Sequence, residues 1–580
     1  MSEATVAAYL KQRLEELGLE RLFVVAGNYT APFLDTILED PRSPIVITGI
    51  PNEICAGYAA DGYARLRGIG AVAVTYGVGA FSLLNAVAGS LVEKAPVVVI
   101  NGAPTNKEFQ NSLYAGLLYS HMTSDPYSNL DVYRRITVNA ERIVNAGEAP
   151  HQIDAALSAC ISHGQPVYLE VLEDVWRTAC QQPSGPLSRE QRNVTRSDVK
   201  GAVNATLDLI EVHGKPLFWA GVEIQRQRLQ SEFLALVEKT GFCFTTSLLG
   251  KSVVTEDHQK FLGVYSPTSP DQMKMLVGNA GCLVGLGAWT TGKDVNNQNI
   301  LSDRVALAAR GGVIVGPRYF PSVTLKDYLT GLLEALQIRT LRVSAYAPEP
   351  FASFSVAAVS APSLTYDSFY RMLNDWLKED HAVVSDAGFP LIGAQDLHIR
   401  AANGFVAQAS WLAIGYSTAA AIGVKCAMPE KRVLVIVGDG AFQETCQAVS
   451  SHSELGHNTV VFVLVNGIYG IEQKLVNPNP FRTPPKHYQD QLLNNVYSYN
   501  RLHDWHYEKL MDVFGGEGRV VETVEALSSV LAEIDARPRD NFLVHVQLPI
   551  TDTPKALKPG LGGAGEDETA NVDWPPALLF

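Results

Sequence analysis

The chain has 580 residues, 47% of them hydrophobic, and carries 60 acidic against 46 basic side chains for a formal charge of −14. At roughly 150 residues per domain this is material for three or four cores, and an acidic balance without any Lys/Arg block excludes a nucleic-acid backbone as partner. Seven cysteines without a C-x-x-C pair give neither a zinc pattern nor a disulfide framework, which points to a reducing, cytoplasmic setting.

The N-terminal MSEATVAAYLKQRLEELG is charged and amphipathic rather than a signal segment. From Leu22 apolar runs alternate with helical stretches: RLFVVAG, a helix from about Tyr29, PIVITGI, a helix over 53–66, AVAVTYG, a helix over 80–91, and PVVVING. Glycines and a charged pair interrupt the most apolar window, AVAVTYGVGAFSLLNAVAGSLVEKAPVVVI, so it reads as strand, helix, strand and not as a membrane span. Residues 104–127, polar and aromatic, suit a functional loop with some helix, and PVYLEVLEDVW closes a first α/β domain over 1–180. QQPSGPLSREQRN reads as a linker. A central α/β domain over 198–345 contains KPLFWAG, CFTTSLLG, CLVGLGAW and GGVIVG. After a boundary in the Ala/Ser/Pro-rich 345–362, a third domain over 363–550 contains the helix TYDSFYRMLNDWL, HAVVSDAG, GFVAQAS, a helix over 413–426, RVLVIVGDG, a helix over 442–455, TVVFVLVNG and NFLVHVQLP. The tail 551–580, rich in Gly, Pro and acid, reads as flexible, with Trp574 and the final LLF able to dock. Strands alternating with helices predict an α/β fold of mostly parallel sheets covered on both faces.

RVLVIVG is an almost continuous apolar strand ending at Gly438, Asp439 and Gly440, and TVVFVLV ends at Asn466. A helical crossover makes the two strands parallel, so Asp439 and Asn466 meet at carboxyl ends, where open α/β sheets bind ligands. A carboxylate, an amide oxygen and a main-chain carbonyl are hard ligands for magnesium, which keeps phosphate and water in its remaining positions. The glycines admit close backbone approach, and amides opening the next helix can meet phosphate charge. A bare GDG also serves as a simple strand-ending turn.

The segment GDGAFQETCQAVSSHSELGHNTVVFVLVNGIYGIEQ resembles the signature of the thiamin diphosphate-dependent 2-oxo acid decarboxylase family, especially the pyruvate and indolepyruvate decarboxylases. The resemblance implies a three-domain fold with parallel sheets covered by helices. It implies Mg2+ held by Asp439, the Asn466 side chain and the Ile468 carbonyl, and thiamin diphosphate contacted by Gly388, Gly438, Gly440 and Ala441. Here Val465, Asn466, Gly467 and Ile468 stand where such enzymes often have two asparagines followed by Asp-Gly; the essential asparagine is kept, and a main-chain ligand tolerates Ile.

Two further matches extend the resemblance to both outer domains. In PNEICAGYAADGYARLRG, Glu53 corresponds to the carboxylate that bonds the aminopyrimidine ring nitrogen, favouring the imino tautomer that deprotonates the thiazolium carbon. Taken alone, such a residue is equally a helix cap or solvent-facing. In ASWLAIGYSTAAAIG, Ile414 corresponds to the residue that props the cofactor into a bent form, and the Leu412 carbonyl to the acceptor of the pyrimidine amino group; core packing would use the same face of Ile414. The family assembles as homodimers or homotetramers with intersubunit active sites.

The fate of the enamine is set elsewhere. Glu472 matches the glutamate beyond the metal loop, suited to meeting the substrate carboxylate or relaying a proton if an apolar cleft raises its pKa, although Lys474 also offers it a surface salt bridge. Ile471 matches an apolar wall. At position 28 Asn stands where the family usually has Asp, and the family's histidine pair appears as Ser120 and His121. Asn28 cannot deliver a proton as a carboxylic acid does, whereas His121 is either a proton relay or an idle loop residue. Tyr29, Phe389, Ile468 and Ile471 are candidates for an apolar substrate slot. Two reactions follow: decarboxylation of an aromatic or branched 2-oxo acid with aldehyde release, favoured by Glu472, or decarboxylating carboligation with a second carbonyl compound to an acyloin, favoured by Asn28 and the broken histidine pair. A regulator that only retains the cofactor would release no carbon dioxide, and bound flavin would mark an oxidase.

Overall fold

The structure is a computed structural model describing residues 4–187, 195–266, 269–289, 302–350, 363–476 and 496–557, with the backbone of 492–493. Trp574, the final LLF, residues 351–362 of the expected second boundary and 188–194 of the expected linker lie outside the described residues. The chain divides into two compact units: Met1–Gln191 with Ser410–Val433 and Thr445–Thr459, and Arg192–Ala409 with Leu434–Glu444 and Val460–Phe580.

The first unit is built on a six-stranded sheet in the order Val46–Gly49, Arg21–Val24, Gly70–Thr75, Val97–Ala103, Val167–Leu172, Asn139–Ile143, every pair parallel. The strands Val97–Ala103 and Val167–Leu172 are buried at every position, as a sheet covered on both faces requires. The strand Asn139–Ile143 was not anticipated: NAERI is half-exposed on the sheet edge and lacks an apolar run.

The helix Glu53–Arg67 is defined at both ends. Asn52 caps it by accepting from the Cys55 N–H at 2.8 Å, Gly68 ends it at φ 84°, and Arg65 and Arg67 occupy the last turn, where cations suit the helix dipole. It is buried from Cys55 to Arg65 and packs on the helix Tyr416–Ala427, itself buried from Tyr416 to Lys425. Alanine and glycine on the facing surfaces let the backbones approach: a Cβ at Gly62 would stand 2.4 Å from the Ala420 carbonyl oxygen, and one at Gly423 only 1.8 Å from that of Ala59.

The second unit holds two sheets. One runs Phe261–Val264, Phe244–Thr246, Pro216–Ala220, Cys282–Leu286, Val305–Ala309, Gly312–Val315, Arg318–Pro321. Its first four pairings are parallel and its last two antiparallel, a mostly parallel sheet with an antiparallel edge where ARGG turns the chain straight back. Phe218, Phe233, Phe244 and Tyr328 lie in its core. The other sheet runs Phe405–Ala407, His381–Ser385, Arg432–Gly438, Val460–Val465, Phe542–Gln547, Glu517–Val521. The expected helix over 442–455 is two short helices, Asp439–Thr445 and Ala448–Glu454, the first beginning at Asp439 itself.

Among the described residues no helix is long and apolar enough to cross a membrane, and all seven cysteines are free. The contact between the two small-residue helices is tight enough to test. Gly423→Ala should destabilise the protein by about 1–3 kcal/mol through overpacking, read as a lower midpoint of thermal unfolding, whereas Gly456→Ala, where nothing stands within 4 Å of the added carbon, should cost only the strain of its positive φ.

Candidate active site

The strands Arg432–Gly438 and Val460–Val465 are parallel neighbours with Gly438 opposite Leu464. That register places Asp439 beside the turn that follows Val465, as the crossover argument requires. Asp439 is 3% exposed. Its Oδ2 accepts the Asn466 and Gly467 N–H groups at 3.0 and 2.6 Å, and its Oδ1 accepts the Gly440 N–H at 3.0 Å. Burial pushes the carboxyl up to about 7 even though these three N–H groups pull it down; among the described residues it is met by dipoles and by no ion pair.

Asn466 donates from Nδ2 to the Tyr366 hydroxyl at 3.3 Å and accepts the Ile468 N–H on Oδ1 at 3.1 Å, which leaves that oxygen a second lone pair. Ile468 forms an isolated antiparallel bridge with Arg501. The bonds flanking it, Tyr469 N–H to Asn500 O and Leu502 N–H to Gly467 O, turn both main-chain groups of Ile468 away from Arg501. Its carbonyl therefore points the same way as its N–H, toward the Asn466 side. Among the described residues no group of three His, Cys, Asp or Glu side chains is placed to hold a metal. One buried carboxylate short of positive charge, one amide oxygen and one carbonyl form a donor set that fits a hard divalent cation carrying further oxygen ligands of its own.

The surrounding glycines have unequal roles. Gly388 has φ 81° and ψ −144°, a conformation essentially reserved for glycine, just before the helix Phe389–Ala394. Asp386, fully buried, fixes the preceding turn by accepting the Ala387 N–H at 3.0 Å. A Cβ at Gly440 would meet the Tyr469 ring at 2.4 Å, whereas one at Gly438 would meet only Pro390 at 3.8 Å. Close packing thus demands glycine at 440, and this chain's own atoms do not demand it at 438. Ala441 is buried in the first turn of Asp439–Thr445.

Phe389 and Ile471 stand at the turns of Gly470 and Gly388. The Phe389 ring lies 2.5 Å from the position of a Gly470 Cβ and meets Tyr366 edge-on at 5.5 Å between centroids, and Ile471 lies 3.4 Å from that of Gly388. Phe389 and Ile468 are buried. Glu472 stands exposed on the first turn of the helix Gly470–Val476. The helix is anchored by buried Gln473, whose Oε1 accepts the Tyr497 N–H and the Asn500 Nδ2 at 3.2 and 3.0 Å. Lys474 makes no salt bridge with Glu472: its ammonium donates to the Leu557 carbonyl at 2.7 Å, and burial lowers its pKa.

The remaining sequence-derived residues sit in the first unit. Tyr76 is their hub. Its ring meets Tyr29 at 5.2 Å and His121 at 6.1 Å, and its hydroxyl donates to the Ser120 carbonyl. Burial raises the Tyr29 phenol and Glu108 adds to it, while hydrogen bonds with Tyr76 and Asn28 oppose the rise. Tyr29 is placed by its carbonyl, which accepts from the Trp176 indole at 3.0 Å. Asn28, Ser120 and His121 are exposed, and His121 has φ 69°, a left-handed conformation that histidine adopts more readily than most non-glycine residues. Glu53, half-buried at the start of its helix, lies against Gly79, with Oε1 3.4 Å from where a Cβ would stand.

Leu412 is also left-handed, with φ 59°. Ile414, two residues on, keeps 40% of its surface exposed. It is therefore not core packing within this chain, and an apolar surface held out in this way suits a cofactor ring. Thr445 closes the loop by donating to the Gly415 carbonyl at 2.7 Å. Sequence reasoning missed Tyr366, Tyr76 and Thr445. Tyr76, directly after a strand in TYG, carried a readable signal, but Tyr366 looked like one more apolar position of an amphipathic helix.

Three models of thiamine pyrophosphate enzymes match the chain: the N-terminal TPP binding domain over 4–125, the central domain over 203–307 and the C-terminal TPP binding domain over 386–545. Each match falls on one of the three large sheets. An alpha-keto-acid decarboxylase of Mycobacterium tuberculosis (strain CDC 1551 / Oshkosh) is 30% identical over 559 residues, 95% of this chain and 96% of its own. Pyruvate decarboxylase 2 of Oryza sativa subsp. japonica is 28% identical over 573 residues, 96% of this chain and 90% of its own, and pyruvate decarboxylase 1 of Zea mays is 28% identical over 574 residues, 96% and 89%.

The chain belongs to the thiamin diphosphate-dependent 2-oxo acid decarboxylase family, with its α/β three-domain fold. Its cofactor is thiamin diphosphate and its reaction is the decarboxylation of a 2-oxo acid.

The loop bearing Ser120 and His121 has a sharp steric dependence. A Cβ at Gly77, whose φ is 63° and ψ −107°, would stand 1.8 Å from the His121 carbonyl oxygen. Gly77→Ala should therefore cost about 1–3 kcal/mol in backbone strain and displace the loop, seen as faster limited proteolysis between residues 116 and 125.

Proposed function

We propose that the protein is a magnesium-dependent, non-oxidative decarboxylase of aromatic or branched 2-oxo acids that releases an aldehyde. The observation that carries the metal is the buried Asp439, raised by burial and answered, among the described residues, by N–H dipoles. Asp439, the Asn466 amide oxygen and the Ile468 carbonyl would hold Mg2+, with Gly388, Gly440 and Ala441 beside the diphosphate. Thiamin diphosphate, when bound, supplies the carbanion-forming carbon to which the substrate carbonyl is added.

This chain's residues take the remaining tasks. Glu53 holds the pyrimidine ring nitrogen and its proton, the Leu412 carbonyl accepts the pyrimidine amino group, and Ile414 supports the bent cofactor. The apolar side chains of Phe389 and Ile471, with buried Ile468, support a branched or aromatic side chain on the substrate, and Tyr29 is a further aromatic candidate. Glu472 handles the substrate carboxylate or the proton that replaces it. The structure favours this over a surface ion pair because the neighbouring ammonium is engaged elsewhere. His121, exposed and held beside Tyr76, is the second proton carrier.

A second reading, decarboxylating carboligation to an acyloin, is favoured by Asn28, which is exposed and engaged with Tyr29 but carries no acidic proton. The protein is further proposed to be cytoplasmic and to act as a homodimer or homotetramer with active sites at subunit contacts.

Incubation with thiamin diphosphate, Mg2+ and pyruvate, phenylpyruvate, indolepyruvate or branched 2-oxo acids, singly and in pairs, should give carbon dioxide and aldehyde, fastest with the larger substrates. Coupled hydroxyketone as the main product selects the second reading, and no carbon dioxide across the panel overturns both. Asn28→Asp should raise the ratio of aldehyde to acyloin with cofactor binding intact. Cofactor at about 100 times its Kd should stabilise the protein by about 2.7 kcal/mol; chelation of Mg2+ or Asp439→Ala should remove that gain, measured by thermal unfolding.

A further inference from the structure

An amide is a one-sided metal ligand: its oxygen binds a cation, and its NH2 group, on the other side of the same carbon, repels one. Asn466 is buried, and its amide is held at both ends. The Ile468 N–H needs an acceptor and finds Oδ1 at 3.1 Å, so Nδ2 falls on the opposite side, where the Tyr366 hydroxyl accepts from it at 3.3 Å. Among the described residues that hydroxyl is the one acceptor of the amide NH2 group. The surroundings of Nδ2 are otherwise tight: it stands 2.9 Å from where a Gly470 Cβ would lie, a position the Phe389 ring approaches to 2.5 Å.

Tyr366 is itself fixed. It opens the helix Tyr366–Trp376, whose start is set by a capping box between Thr365 and Ser368, and its own N–H donates to Asp552 Oδ2 at 2.7 Å. The residue is buried and its ring meets Phe389 edge-on. Burial, reinforced by the charge of Asp439, raises the phenol well above its usual range, so the hydroxyl stays neutral. Asp439 is oriented by main-chain N–H groups, which do not depend on residue type, whereas the Asn466 amide depends on one side chain from another helix.

We propose that Tyr366 is a positioning residue for the metal: by holding Nδ2 it keeps the Asn466 Oδ1 turned toward the cation and thereby sets the affinity for Mg2+. The inference rests on the reading of Asn466 as a metal ligand. Removing the hydroxyl alone strands a buried donor, which is more costly than the lost bond itself, and the side chain relieves this by rotating, which carries Oδ1 out of the site. Partners that orient metal ligands are worth roughly 10–100-fold in metal affinity.

The test is a cycle between residues 366 and 466. The full-length protein, with excess thiamin diphosphate, is titrated with Mg2+ while tryptophan fluorescence is followed, for wild type, Tyr366→Phe, Asn466→Ala and the double variant. Tyr366→Phe keeps the ring and should weaken Mg2+ by about tenfold. In the Asn466→Ala background, where the hydroxyl has no amide to hold, the same change should cost less than about twofold. Equal losses in both backgrounds, or no loss in the first, would overturn the role of Tyr366 and leave the metal reading standing. A wild type that binds thiamin diphosphate equally well without any divalent cation removes the metal reading, and the role of Tyr366 with it. A crystal structure of metal-free Tyr366→Phe supplies a readout that needs neither activity nor the alanine background: the Asn466 amide should have rotated away from the Ile468 N–H, and an amide left in its wild-type orientation overturns the proposal.

Discussion

A carboxylate at the end of a buried strand has few ways of being tolerated, and Asp439 uses most of them. Three main-chain N–H groups from two different strand ends converge on it. This convergence requires the strands Arg432–Gly438 and Val460–Val465 to be parallel, adjacent and in one register. The turn of Gly467 follows from the same bonds, while the Tyr366 and Ile468 contacts orient the Asn466 side chain. Because dipoles lower the cost of burying charge without cancelling it, the site is left complementary to a cation. The loop after it is tied in turn to residues 497–502, so the helix bearing Ile471 and Glu472 inherits its position from the strand ends.

The first unit solves a different problem, that of holding backbone in unfavourable conformations. Leu412 and His121 both sit in the left-handed region. Each lies in a loop secured by a buried partner from another element: Tyr76 with the Ser120 carbonyl, and Glu93 with the N–H groups before Leu412. The close contact of the helices Glu53–Arg67 and Tyr416–Ala427 gives these attachments a rigid base. Rigid strands and helices thus fix the positions of short, strained loops that carry the reactive groups.

Much of this was legible in the sequence. Continuous apolar runs such as RVLVIVG and TVVFVLV read as strands of a covered parallel sheet, and the positions of Asp439 and Asn466 at their ends followed from crossover geometry alone. Short strands that lack such runs were not legible. Asn139–Ile143 is half-exposed, and the hairpin from Val305 to Pro321 depends on a turn whose direction its residues do not announce. Within the site, residue identity pointed to Glu53, Asn466 and Glu472. The strain at Leu412 and His121 has no side-chain signature, and long-range polar contacts such as Tyr366 to Asn466 connect residues 100 positions apart.

The bond from Lys474 to the Leu557 carbonyl separates two charges that composition alone would pair. On a helix, residues two apart point to different sides, and the segment Lys555–Leu557 gives the lysine a neutral acceptor on its own side. Glu472 is therefore left without an ion pair to Lys474, and the ammonium is held by a neutral oxygen instead. The segment Lys555–Leu557 thus fixes the direction of the Lys474 ammonium from outside its own helix.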